Sequence, residues 1–321
     1  MIVLWRITER CDLACGFCAY DRRLRRTRHD ADVGSIRRFA AVLGALQRRT
    51  GERVLLSWLG GEPLRWTPLF ALCEELRRDH ALSLSLTTNG STLDRATVRA
   101  AILANLSELT VSVDGFAEFH DRTRGRAGLW QRIRDGVVAL ARDRDPSGLR
   151  LRANVVLMRD NLEDFPALCA ELADWGIDEI TFNALGGRDR PEFHPAHRLR
   201  TDDTRRLAEG VAPLRDRLAL RGVRLCGGQS YLSRIHAAAE GRALSVGDCA
   251  PAERFLFVDE QGRLAPCSFT CGDYGVHVDE VQTLEDLFAL PGRFRAARTR
   301  APAPTCGDCP SNHVFAKFAS R

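Results

Sequence analysis

Lysine is nearly missing from this 321-residue sequence: of 47 basic residues only Lys317 is a lysine. A basic balance carried by arginine, with a net charge of only +5, reflects genome composition. A nucleic-acid footprint would instead cluster on one face. Long apolar runs are also missing; none approaches the roughly 18 residues of a membrane span. The opening "MIVLWRIT" is a short strand-like run without a basic leader, so no signal peptide is expected and the cytoplasm is the expected location. Thiols stay reduced there, and an odd count of eleven cysteines does not read as a disulfide framework. No internal repeat of solenoid length and no low-complexity segment occurs. The eight histidines are scattered and form no histidine–carboxylate constellation.

What is present is an alternation of strands and helices. Strand-like runs lie at 2–7, 53–59, 82–88, 108–113, 151–158 and 179–185, with helical patterns near 35–49, 67–79, 94–104, 129–142 and 163–175. Repeated strand–helix units predict an α/β fold with a parallel sheet, and six of them fit a partial (β/α)6 barrel open on one side. A longer helix at about 201–221, a short strand at 223–226 and another helix form a connector over 186–244. From about 245 cysteine, proline and glycine become frequent and a hairpin-like "RFLFVDEQGRLAPC" (254–267) appears. Residues 245–321 are expected to be a small metal-stabilised appendage. The arginine-rich stretch at 21–30 reads as a solvated loop, with contact to an acidic substrate group as the minority reading.

The cysteines fall into groups. Cys11-x3-Cys15-x2-Cys18 directly follows the first strand. Thiolates suit iron–sulfur clusters or zinc. Structural zinc collects four ligands, whereas three on one loop leave an open corner, useful only where something must bind. The turns after the next strands supply a reason. "GGEP" (60–63) offers two glycines for close backbone approach and Glu62 as an acceptor for an ammonium. "TTNG" (87–90) presents Asn89, and "SVDG" (112–115) presents Ser112 and Asp114. All fall at carboxyl ends of strands, where barrel-type folds build ligand sites.

With Phe17 before the third cysteine, this pattern resembles the C-x3-C-x-aromatic-C motif of the radical S-adenosylmethionine (SAM) enzymes. The resemblance covers roughly 1–185 for the barrel and 245–321 for the appendage. It implies that Cys11, Cys15 and Cys18 hold a [4Fe-4S] cluster whose fourth iron is chelated by the amino and carboxylate groups of SAM. Phe17 would lie near the adenine, and Gly60, Gly61 and Glu62 would meet the methionine amino group. Asn89, Ser112 and Asp114 would line the SAM pocket. "HDRTRG" (120–125) resembles a segment whose arginine, here Arg124, faces the SAM carboxylate. One-electron cleavage of SAM would then yield a 5′-deoxyadenosyl radical that takes a hydrogen atom from substrate. Such chemistry requires no general base.

A second group comprises Cys249, Cys267 and the "CGDC" of Cys306 and Cys309. It resembles the shortened "Twitch" form of the SPASM auxiliary-cluster domain, which implies one auxiliary iron–sulfur cluster on these four thiolates. Two pairs are also what a structural zinc site looks like. Cys271 is left over nearby. It and Cys226 are candidate hydrogen donors to a substrate radical, against the bland alternative of small buried hydrophobes; for Cys73 and Cys169 the bland reading is preferred. The expected activity is hydrogen abstraction from a small natural-product precursor or peptide, ending in oxidation, crosslink or epimerisation. An electron donor such as flavodoxin or ferredoxin is implied. The chain starts at its first barrel strand, without room for a leader-peptide domain, which leans toward a small substrate or short peptide. The alternatives are a non-catalytic zinc-binding scaffold and a radical SAM enzyme acting on transfer RNA.

Overall fold

A computed structural model describes residues 1–145 and 147–318. Seven β/α steps run in order: β1 (Ile2–Thr8), α1 (Val33–Thr50), β2 (Leu55–Gly60), α2 (Leu69–His80), β3 (Ser83–Thr88), α3 (Ala96–Asn105) and β4 (Glu108–Ser112). They continue through α4 (Ala117–Arg124), α5 (Leu129–Asp143), β5 (Arg150–Leu157), α6 (Phe165–Asp174), β6 (Glu179–Ala184), α7 (His194–His197), α8 (Thr201–Ala219) and β7 (Arg224–Leu225). Strands β1 to β7 pair in sequence order and all in parallel, which is the α/β architecture expected from the alternation.

The sheet does not stop at β1. After α9 (Gln229–Ala239), β8 (Phe255–Val258) pairs parallel to β1, with Ile2 opposite Phe255 and Trp5 opposite Val258. Strand β9 (Arg263–Ala265) then pairs antiparallel to β8, and β10 (Val276–His277) to β9. The hairpin read at 254–267 therefore extends the barrel sheet itself. The strand order is a single run from β10 to β7. The cysteine-rich segment also carries α10 (Cys271–Tyr274), α11 (Leu284–Arg300) and α12 (Pro304–Gly307). Helix α11 buries Leu287, Leu290 and Phe294, and its N-terminus is closed by a capping box between Thr283 and Asp286.

Alternation along each strand separates two faces. Trp5, Trp58, Leu86, Val111 and Phe182 are buried; Trp5 meets Phe39 of α1 edge-on at 6.0 Å, and Trp58 Nε1 donates to Cys73 Sγ of α2 at 3.2 Å. Cys73 and Cys169 are thus core residues beneath helices, as the bland reading had them. The opposite face carries polar residues such as Ser57, Ser85, Thr110, Asn154 and Asn183. Among the described residues no helix is long and apolar enough to cross a membrane.

Candidate functional site

The three-cysteine loop leaves β1 at its carboxyl end and is held from several sides. Ala14 N donates to Arg124 O at 3.2 Å and Cys18 N to Cys15 O at 3.1 Å. The 21–30 stretch is largely solvent-exposed, as read, but Arg23, Arg26 and Arg28 also brace this loop. Arg28 donates to the carbonyls of Glu9 (2.7 Å), Tyr20 (3.1 Å) and Asp21 (2.6 Å), and Arg23 to that of Ala14 (2.9 Å). Arg26 pairs with Glu9 at 2.6 Å.

Cys15 is buried and Cys11 and Cys18 are partly so. Burial, with a smaller contribution from a neighbouring cysteine of the loop, pushes the thiols of Cys11 and Cys15 up to about 11. Cys18 is raised for the same reasons. Three mutually repelling, partly or fully buried thiolates are stable only against positive charge, and Arg124 relieves both Cys15 and Cys18. This donor set fits a cationic iron–sulfur group bound by soft ligands. Among the described residues no three of His, Cys, Asp and Glu converge on a point suited to one metal ion. A cluster, which spreads its thiolates over separate irons, does not require such convergence.

Glu62 lies beside the loop, fully buried. It accepts from Leu64 N (3.0 Å), Thr88 Oγ1 (2.7 Å) and Asn89 N (2.6 Å). Among the described residues no cationic side chain pairs with it. Burial outweighs these bonds and raises its pKa to about 7. A buried carboxylate with three neutral donors and no cation is matched to an ammonium ligand. The two glycines before it have a structural task as well as the close ligand approach expected from the sequence. A Cβ on Gly60 would stand 2.2 Å from the Thr8 carbonyl, and one on Gly61 2.3 Å from that of Arg10. They let the second loop lie directly on the first, where Gly61 N donates to Thr8 O and Glu62 N to Arg10 O, each at 2.8 Å.

Asp12, inside the cysteine motif, was missed from the sequence. It accepts from Asn89 Nδ2 (3.0 Å), Ser91 Oγ (2.8 Å) and Arg126 Nη1 (3.1 Å), tying the loops after β1, β3 and β4 together. Asn89 Nδ2 also lies 3.7 Å from Cys11 Sγ. Asp114 is wholly buried; its Oδ2 accepts from Arg124 Nε at 2.7 Å and its Oδ1 from Val156 N at 2.9 Å. Arg124 in turn lies 5.5 Å over the Phe17 ring. His120 Nδ1 accepts from Asp114 N at 3.1 Å, and burial holds its ring well below the usual histidine range. Ser112 ends β4, in register with Asn154 of β5. Phe193, from the segment after β6, packs on Phe17 at 6.3 Å and abuts Gly16.

The second cysteine group surrounds a small cavity of about 30 Å³ lined by Cys249, Cys267, Cys306 and Cys309 together with Val246 and Phe294. Cys271 does not line it; its Sγ lies 3.9 Å from the Cys267 carbonyl, and burial, with Asp259 next, pushes it up to about 12. Cys226 sits past β7, 3.7 Å from the Phe318 carbonyl. The two hydrogen-donor candidates thus stand against different neighbours. Lys317, read from the sequence only as composition, is buried on the polar face of the sheet. Its Nζ donates to Asn154 Oδ1 and Asn183 Oδ1, each at 2.9 Å, and burial lowers its pKa to about 7.

Known proteins resemble this chain over much of its length. The profile of the Radical SAM superfamily matches residues 5–169. Fe-coproporphyrin III synthase of Methanosarcina barkeri is 27% identical over 184 residues, covering 57% of this chain and 44% of that protein. PqqA peptide cyclase of Gluconobacter oxydans is 27% identical over 278 residues, covering 83% of this chain and 70% of that one. Streptococcus suis SuiB bound to S-adenosylmethionine shares the fold with a TM-score of 0.67 at 18% identity, covering 99% of this chain and 72% of SuiB.

Proposed function

This chain belongs to the radical SAM superfamily, and we propose that it is a peptide-modifying member of the SPASM/Twitch subgroup. The observation that carries the reading is the juxtaposition of one buried and two partly buried thiols with a buried carboxylate that has no cationic side-chain partner among the described residues, at the carboxyl ends of adjacent strands. Cys11, Cys15 and Cys18 hold the [4Fe-4S] cluster. Glu62 receives the SAM amino group and Arg124 its carboxylate, with Phe17 on the adenine side. Gly60 and Gly61 shape the amino-group pocket by seating Glu62 against the cysteine loop. Asn89 and Ser112 line the pocket, and Asp114 holds the Arg124 guanidinium in place. When bound, the cluster and SAM supply one-electron cleavage to methionine and a 5′-deoxyadenosyl radical. The chain's own part is to exclude water, fix the cofactor's charged ends and hold the target C–H close.

The division into a core over 1–185, a connector over 186–244 and an auxiliary-cluster segment over 245–321 belongs to the same reading. The apolar cavity lined by Cys249, Cys267, Cys306 and Cys309 supports one auxiliary cluster there. The similarity to a peptide cyclase supports a peptide substrate. A flavodoxin- or ferredoxin-type donor and a cytoplasmic setting complete the proposal. Anaerobic reconstitution tests it. The intact chain is expected to produce 5′-deoxyadenosine under reduction, and Cys15→Ala none. Retained cleavage in that variant would remove the site assignment.

A further inference from the structure

Each thiol of the four-cysteine cavity has a hydrogen-bonding group beside it, from distant segments at Cys249 and Cys306 and from the following residues at Cys267 and Cys309. Arg298 of α11 brings Nη1 to 3.7 Å from Cys249 Sγ, while its Nη2 is anchored on the Val246 carbonyl. Tyr274 brings its hydroxyl to 3.8 Å from Cys306 Sγ. Its oxygen already accepts Ala303 N at 2.5 Å, so its own proton is free for the sulfur. Thr270 Oγ1 lies 3.3 Å from Cys267 Sγ, and the Ser311 backbone N–H faces Cys309. A site that merely braces the fold needs thiolates and an apolar wall. It has no use for a guanidinium and two hydroxyls aimed at sulfur.

Resting on the reading of this cavity as an auxiliary iron–sulfur site, we propose that Arg298, Tyr274 and Thr270 are potential-tuning residues that bias the site toward taking up an electron. The reduced state carries one more negative charge than the oxidised state. Donors and a fixed cation at the sulfurs stabilise it more, which raises the reduction potential. The surrounding Val246, Pro251, Pro266 and Phe294 pull the other way by keeping water out. In this apolar setting the guanidinium is the largest single correction, and it is held in place by Val246. Arg298 lines, with Pro251 and Cys306, both this cavity and an open groove of about 440 Å³ that Arg295, Thr299 and Pro302 complete. Tyr274 and Thr270 line the cavity alone, so they tune it without altering access.

The test is a redox titration, followed by electron paramagnetic resonance, of the full reconstituted chain. Cys11, Cys15 and Cys18 are replaced by alanine throughout, so that the first site gives no signal. At the potential that half-reduces this reference, Arg298→Met is expected to show a roughly tenfold lower ratio of reduced to oxidised site, a shift of about 59 mV for one electron. Tyr274→Phe and Thr270→Val are expected to shift the same way by less, and Arg298→Lys to recover part of the loss. Unchanged or raised midpoints in Tyr274→Phe and Thr270→Val at reference iron content would overturn the tuning proposal while leaving the auxiliary site standing. No iron in the reference protein would overturn the auxiliary site itself, and the tuning with it.

Discussion

The two cysteine groups solve the same problem, buried thiolates, in opposite surroundings. The first sits on one short loop among charges: Asp12, Glu62, Asp114, Arg124 and Arg126 all stand within a bond or two of it. The second is assembled from segments up to some sixty residues apart in sequence around an apolar cavity, with the Arg298 guanidinium beside one of its sulfurs. On the proposed reading, the contrast follows from what each would hold. A site with three ligands on one loop leaves room for a charged, exchangeable molecule, and the neighbouring charges are placed for it. A site with four ligands from distant segments is closed and needs only its sulfurs satisfied.

The largest expected break in this contrast is Cys15→Ala, which should reduce 5′-deoxyadenosine formation to the buffer level while leaving the second site's iron. Chromatography of the cleavage products checks it. Cys306→Ala is expected to do the reverse: iron falls by about half, four irons being lost of roughly eight, and SAM cleavage persists. An unchanged iron count in that variant would remove the second site from the account.

A third prediction concerns pH. The folded pKa of Glu62, about 7, lies above its unfolded value of 4.5. Its contribution is fully present below pH 4.5 and is lost as pH rises through about 7, a loss of about 3 kcal/mol at most. Thermal melts of the cofactor-free chain should therefore fall over that window, and Glu62→Gln should flatten the fall. An equally steep profile in the variant would show that Glu62 is not the group responsible. The smallest effect is expected from Asp12→Asn. It keeps the shape but weakens the charged bond to Arg126, at a cost of about 1–2 kcal/mol in melting of the same chain.

Much of this was legible in the sequence, for identifiable reasons. Strands β1 to β6 fall within two residues of the apolar runs that announced them, because parallel strands covered by helices need such runs. The cysteine loop and the strand-end turns were legible because their spacing is local. What escaped depends on distance. Nothing near Phe255 says that β8 will pair with β1, a contact spanning some 250 residues. Helix α11 was hidden by Pro291, and α4 by its polar composition. Asp12, Arg298 and Lys317 gain their roles only from partners far along the chain. A lone lysine in an arginine-rich sequence reads as composition until the sheet face that receives it is known.

The central claim is that one cysteine group is open to SAM and the other is closed. The most direct test titrates SAM into the anaerobically reduced, reconstituted chain while both cluster signals are followed by electron paramagnetic resonance. The account predicts that SAM alters one signal, the one missing in Cys15→Ala, and leaves the signal missing in Cys306→Ala untouched. A SAM response in the Cys306-dependent signal, or zinc in place of iron at both groups, would contradict it.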